Sequence, residues 1–139
     1  DKSGPLAVDW LKENGALVSG CNVVPDDKER IQSTIRDLVE QGNRLIITTG
    51  GTGLGPRDIT IDALKEIATK EMRGIGEFLR QNGSQRLQSA WLSNSSSFVL
   101  DKTLLIALPG SSKAVAEGLA ALTDLVPHAL HIVNGGNHG

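Results

Sequence analysis

Four glycines, Gly50, Gly51, Gly53 and Gly55, fall within six positions, after an apolar run and before a helical pattern. Glycine permits positive φ and lets an anion approach the backbone closely. The free N–H groups and dipole of a following helix favour the same kind of ligand. Arg57 adds a planar fork suited to phosphate or carboxylate, and Asp58 an oxygen ligand suited to Mg²⁺. A second turn, Pro109-Gly110-Ser111-Ser112-Lys113, repeats the physics. Ser111 or Ser112 can cap the helix after it, and Lys113 falls in the first turn, where the dipole disfavours a cation unless an anion is near. The competing reading of each turn is a plain capped strand-to-helix connection. Asp26 and Asp27 follow Pro25 and are either helix caps or a carboxylate aimed at the site of Asp58. Asp62, one turn beyond Asp58, either shares a metal with it or decorates a helix start. The glycine spacing matches neither a Walker A loop nor a dinucleotide fingerprint. His128, His131 and His138 lack the spacing of a metal site and read as surface groups. Cys21 reads as a small buried apolar residue, and Trp10 and Trp91 as packing residues.

The elements that position these groups alternate in period. Residues 5–14 read as a short helix capped by Ser3, and 16–24 as a β-prone strand ended by Pro25. From Asp26 to about Gln41, Ile31, Ile35, Leu38 and Val39 mark one helical face. Residues 45–49 (LIITT) form a continuous apolar, β-branched run, which predicts a buried strand. A helix follows near 60–70. A short helix at 77–81, a helical turn near 87–92 and a polar loop, SNSSS, come next. Residues 103–108 (TLLIAL) predict a second buried strand. Beyond it Val115, Leu119 and Leu122 line a helix, and a last helical segment spans about 124–132. This order predicts an α/β fold, a three-layer α/β/α sandwich with a mostly parallel central sheet. Ligands bind such sheets beyond the carboxyl ends of the strands, which is where both glycine turns fall.

The length, 139 residues, suits one domain and leaves no room for a second. Hydrophobic residues at 39% and charged residues at 22% describe ordinary globular material. The formal charge of −2 argues against broad phosphate neutralisation of nucleic acid. A single Cys excludes an internal disulfide framework. No apolar run reaches the length of a membrane span. A soluble, cytoplasmic domain with an aliphatic core is the expectation, since only two Trp, two Phe and no Tyr are present.

TTGGTGLGPRDIT at 48–60, with VPDD at 24–27 and LPGSSKAV at 108–115, resembles the MoaB/Mog family of molybdopterin adenylyltransferases in molybdenum cofactor biosynthesis, related to the G domain of gephyrin. DKSGP at the start and AWLSNS at 90–95 also fit. The resemblance covers nearly the whole chain in order and implies one molybdopterin-binding domain over 1–139. It further implies transfer of AMP from Mg-ATP to the terminal phosphate of molybdopterin, with release of pyrophosphate. It carries functional carboxylates onto Asp26 and Asp58, with Asp58 toward Mg²⁺. It carries pterin and phosphate binding onto Thr49, Gly50, Gly51, Thr52, Gly53 and Arg57, and onto Pro109, Gly110, Ser111, Ser112 and Lys113. A homotrimer or hexamer and a molybdenum insertase as partner are implied as well. A non-catalytic pterin-binding or scaffold domain, or one domain of a bifunctional molybdenum-cofactor protein, is the alternative. Two departures bear on the site. The family begins with a strand upstream of DKSGP, whose absence would open a sheet edge and remove one wall of the site. Asn94 stands where Arg is usual.

Overall fold

A computed structural model describes residues 2–136; His138 lies outside the described residues. Four strands form one sheet in the order β1-β4-β3-β2, where β1 is Leu45–Thr49, β2 Lys70–Met72, β3 Ser96–Leu100 and β4 Thr103–Leu108. The fully buried β4 is central to the packing because its side chains alternate between two cores. Leu104, Ile106 and Leu108 enter one core with α1 (Ser3–Glu13), α4 (Arg73–Ser84), α5 (Ser112–Leu122) and α6 (Leu125–Val133). Leu105 and Ala107 enter the other with α2 (Lys28–Glu40) and α3 (Thr60–Ile67). This is the expected three-layer α/β/α arrangement.

The sheet is mixed rather than mostly parallel. β1 and β4 run parallel, but β3 is antiparallel to both β4 and β2. The cause is local. Asp101 adopts φ +56°, a left-handed conformation that turns the chain between Leu100 and Thr103 and folds β3 back on β4. Ser96–Leu100, expected to begin in a polar loop, is therefore a strand, with Ser97 buried and its hydroxyl donating to the Met72 carbonyl at 2.7 Å.

The strand expected at 16–24 is absent. That segment has no ladder, and Leu17 and Val23 are 100% and 94% exposed. β-prone residues make a strand only against a partner edge. Here a cavity of about 580 Å³ lies between this segment and β1. The Ser19 hydroxyl, which donates to Asn43 Oδ1 at 2.8 Å, ties the segment to the start of β1. β1 itself pairs only with β4, so its other edge is open among the described residues. Cys21 is accordingly exposed rather than buried. Trp10 packs on the first core and donates through Nε1 to Thr123 Oγ1 at 3.2 Å, whereas Trp91 is 54% exposed. Ser3 does not cap α1. It lies within the helix, and its buried hydroxyl donates to the Gly110 carbonyl at 2.8 Å.

Candidate functional site

The parallel pair β1–β4 brings the two glycine turns together at its carboxyl end. The Gly50 N–H donates to the Leu108 carbonyl at 2.9 Å, extending the ladder past the last strand residues. A Cβ added at Gly110 would lie 3.6 Å from Gly50 Cα, so the turns are in contact. Gly50 and Gly51 hold φ of +89° and +69°, the left-handed region open to glycine. Gly53 and Gly55 are outside that region, and their role is close approach. A Cβ at Gly53 would sit 2.6 Å from Asp58 Oδ2.

The loop is braced from several sides. The Thr60 N–H donates to the Gly51 carbonyl at 3.2 Å, and the Asp58 N–H to the Gly55 carbonyl at 3.1 Å. Asp58 Oδ2 accepts from the Gly55 N–H at 3.1 Å. Thr52 is buried, and its carbonyl accepts from the Asn94 N–H at 3.1 Å. Neither Asp58 nor Thr60 caps α3, whose N-cap is Ile59 without a side-chain bond.

The two aspartates after Pro25 divide their roles. Asp27 caps α2, its Oδ1 accepting from the Glu29 N–H at 3.2 Å. Asp26 is left exposed and lines the 580 Å³ cavity together with Thr49, Gly50, Gly51 and Thr60. Thr48 Oγ1, also on that wall, is buried without a hydrogen-bond partner. On the β4–α5 side, Ser111 rather than Ser112 caps α5, its Oγ accepting from the Ala114 N–H at 3.4 Å. Pro109, Ser111 and the exposed Lys113 line a second cavity of about 370 Å³ with Arg80, Ser93 and Ser95. Arg57 is exposed, and Asp58 is half-buried. Arg57, Asp58, Thr52, Gly53, Gly110 and Ser112 line neither cavity.

Asp58 and Asp62 do not build a metal cage. Among the described residues no group of three or more His, Cys, Asp or Glu could hold a metal ion. Asp62 instead helps Glu66 hold the Lys28 ammonium above its ordinary pKa, Glu66 having the larger effect through a hydrogen bond and its charge. The sequence reads 93–97 as a polar loop and, through AWLSNS and Asn94, links it to the family resemblance, but residue types alone do not show that the 93–95 turn abuts the glycine-rich loop.

Glycine turns gathered at the carboxyl ends of parallel strands, with carboxylates and cations around them, define an α/β protein whose strand ends have the geometry that suits an anion. A family model described as "Probable molybdopterin binding domain" matches residues 1–128, and the chain belongs to that family. It is 45% identical over its full length to a molybdenum cofactor biosynthesis bifunctional protein of Synechococcus elongatus, of which it covers 44%. It is 35% identical to a molybdopterin adenylyltransferase of Haemophilus influenzae, with 97% of this chain and 76% of that protein covered. Among solved structures, the Mog molybdopterin biosynthesis protein of Mycobacterium ulcerans superposes with a TM-score of 0.91 at 33% identity, covering 97% of this chain and 88% of that one. The chain spans less than half the length of the bifunctional relatives it matches.

Proposed function

We propose that the domain binds molybdopterin and transfers AMP to its terminal phosphate from Mg-ATP, in molybdenum cofactor biosynthesis. The observation that carries this reading is the contact between the Gly50–Gly51 and Pro109–Lys113 turns at the ends of β1 and β4. Two anion-friendly turns in contact suit a reaction that joins two phosphates. A terminal phosphate oxygen of the pterin attacks the α-phosphorus of ATP. The new P–O bond forms as the bond to the β-phosphate breaks, and pyrophosphate leaves with the electron pair. The attacking phosphate is already an anion, so no general base is required. The need is to offset repulsion between anions and to position them.

Each proposed site group has a part in that positioning. Gly51, Thr52 and Gly53 offer backbone amides, and Thr49 and Gly50, whose backbone continues the β1–β4 ladder, a closely approachable surface. Arg57 and Lys113 supply positive charge, and Pro109, Gly110, Ser111 and Ser112 shape the second turn. Mg²⁺ arriving with ATP uses phosphate oxygens and waters and needs only one or two protein carboxylates. The half-buried Asp58 fits that demand. Asp26, on the wall beside Gly50 and Gly51, is the supporting carboxylate. Mg²⁺ offsets phosphate charge when bound.

A second reading, one domain of a bifunctional molybdenum-cofactor protein, is favoured by the Synechococcus relative, which matches along the whole chain yet is more than twice as long. A cytoplasmic setting and hand-over of product to a molybdenum insertase belong to the same proposal. Among the described residues no helix is long and apolar enough to cross a membrane. The test is release of pyrophosphate from Mg-ATP on addition of molybdopterin. Release that depends on pterin supports the enzyme. Tight pterin binding without release leaves the binding-domain alternative in its place.

A further inference from the structure

We propose that Arg80 is a positioning residue that holds the glycine-rich loop in its binding shape, acting through the 93–95 turn. The proposal rests on the reading of that loop as the ligand site. Arg80 projects from α4, half-buried, and its Nη1 donates to the Ser95 carbonyl at 2.8 Å and the Ser93 carbonyl at 3.3 Å. The residue between those carbonyls, Asn94, points its N–H the other way and donates to the Thr52 carbonyl at 3.1 Å. One guanidinium therefore grips the turn on one side, while the turn grips the glycine-rich loop on the other.

Two further features show that this junction is built. Gly76, one turn before Arg80 on the same helix, has no room for a side chain. A Cβ there would lie 2.6 Å from the Ser95 carbonyl oxygen and 3.1 Å from Arg80 Nη2. The helix backbone must approach the turn closely for the guanidinium to reach it. The turn is also stiffened from within, since the Ser93 and Ser95 hydroxyls are 2.9 Å apart and the Ser95 N–H donates to Ser93 Oγ at 3.3 Å. Ser95 and Thr52 are both nearly fully buried, so water cannot readily replace these bonds. A guanidinium is suited to the task because it is always charged and offers donors in a fixed plane.

Substitution of Arg80 by Met keeps the apolar stem and removes the donors. In the full chain, R80M is expected to speed amide hydrogen exchange in the 50–55 segment while β4 and α5 keep wild-type exchange. The KM for pterin should rise about tenfold, the size of one charged hydrogen bond, with kcat changed less. Arg80→Lys, which retains one charged donor group, should recover part of both effects. Arg86→Ala removes the Arg86–Glu117 pair, Nε to Oε2 at 2.9 Å, without touching the turn, and should leave the 50–55 exchange unchanged. Wild-type exchange at 50–55 in R80M, or faster exchange spread evenly over the whole sheet, overturns the proposal. If R80M does not fold, Asn94→Pro removes the N–H that reaches Thr52 and leaves Arg80 intact. Unchanged 50–55 exchange in N94P then overturns the proposal instead. Absence of pyrophosphate release in the wild type removes the enzymatic reading alone, because hydrogen exchange still decides the tether.

Discussion

Asp58 and Gly51 occupy one loop but constrain it differently. Asp58 Oδ2 receives the Gly55 N–H, and the side chain caps no helix. Replacing it with Ala forfeits a surface hydrogen bond worth about 1 kcal/mol and opens no cavity. Asp58→Ala is therefore expected to melt within a few degrees of wild type. Pyrophosphate release should fall by about a hundredfold, as when a preorganised charge-stabilising group is lost. Near-normal turnover at saturating Mg-ATP would show that the carboxylate only shapes the turn. Gly51 is the opposite case. At φ +69° any side chain is strained, and a Cβ there would collide with Thr60 Oγ1 at the start of α3. Gly51→Val should lose about 1–3 kcal/mol in denaturant unfolding as well as its ligand affinity. Unchanged stability would show that the loop can re-form with the valine elsewhere. The glycine turns were legible from residue type and from their position after β1 and β4, whereas Asp26 follows a segment that forms no strand. The tie from Asn94 to Thr52 was not legible, because it is a backbone bond between segments more than forty residues apart, and side-chain identity does not encode it.

Among the elements, those with a partner built into the chain were readable, and those that depend on a distant edge were not. α2 shows its period in Ile31 and Ile35 and starts at Asp27. β4 announces itself as an apolar run because both of its faces are covered, whereas β1, expected to be buried, buries only Ile46 and leaves its other residues half-buried beside the cavity. Residues 16–24 have similar β-prone composition but face a cavity instead of a paired edge, so composition alone misleads there. β2 and β3 carry serines, a lysine and a glutamate, and tertiary pairing rather than propensity makes them strands. The ion pair between Lys28 of α2 and Glu66 of α3, Nζ to Oε2 at 2.6 Å, sits at the surface, with both side chains about half exposed. It raises the Lys28 pKa above 10.5. A raised folded-state pKa means the pair's stabilisation is fully present below the unfolded value and is lost as pH rises through the folded one. Lys28→Met should leave the denaturation midpoint at neutral pH almost unchanged, because solvent screens such pairs. Between wild type and variant, any stability difference should shrink above about pH 10.5. A large neutral-pH loss in the variant, which keeps an apolar stem, would mean that the charge itself holds α2 on α3.

For the molecule as a whole, exposed apolar side chains fall mainly in the 16–24 segment, at Leu54 and around α4. Phe78 on α4 and Leu87, Trp91 and Leu92 around the 3-10 turn Gln88–Leu92 are 40%, 65%, 54% and 66% exposed. These two elements pack on each other, so the four apolar side chains come from one region of the surface. A net charge of −2 offers little repulsion between copies. Self-association through this region is the expected result, and three or six copies is the order that the family resemblance implies. Sedimentation at micromolar concentration should give a species near three or six times the chain mass of 14.7 kDa. Trp91→Glu should shift that species toward one chain mass by placing a charge in the middle of the contact. Because Leu87 also lines the cavity that holds Ser111 and Lys113, assembly would narrow access to that cavity without touching Gly50 or Gly51. Loss of the oligomer in W91E should then weaken ligand binding less than Gly51→Val does. A wild-type chain that sediments as a monomer and still releases pyrophosphate would remove assembly from the reaction. A wild-type oligomer unmoved by W91E would place the interface on another face, with the open edge of β1 the next surface to test by substitution.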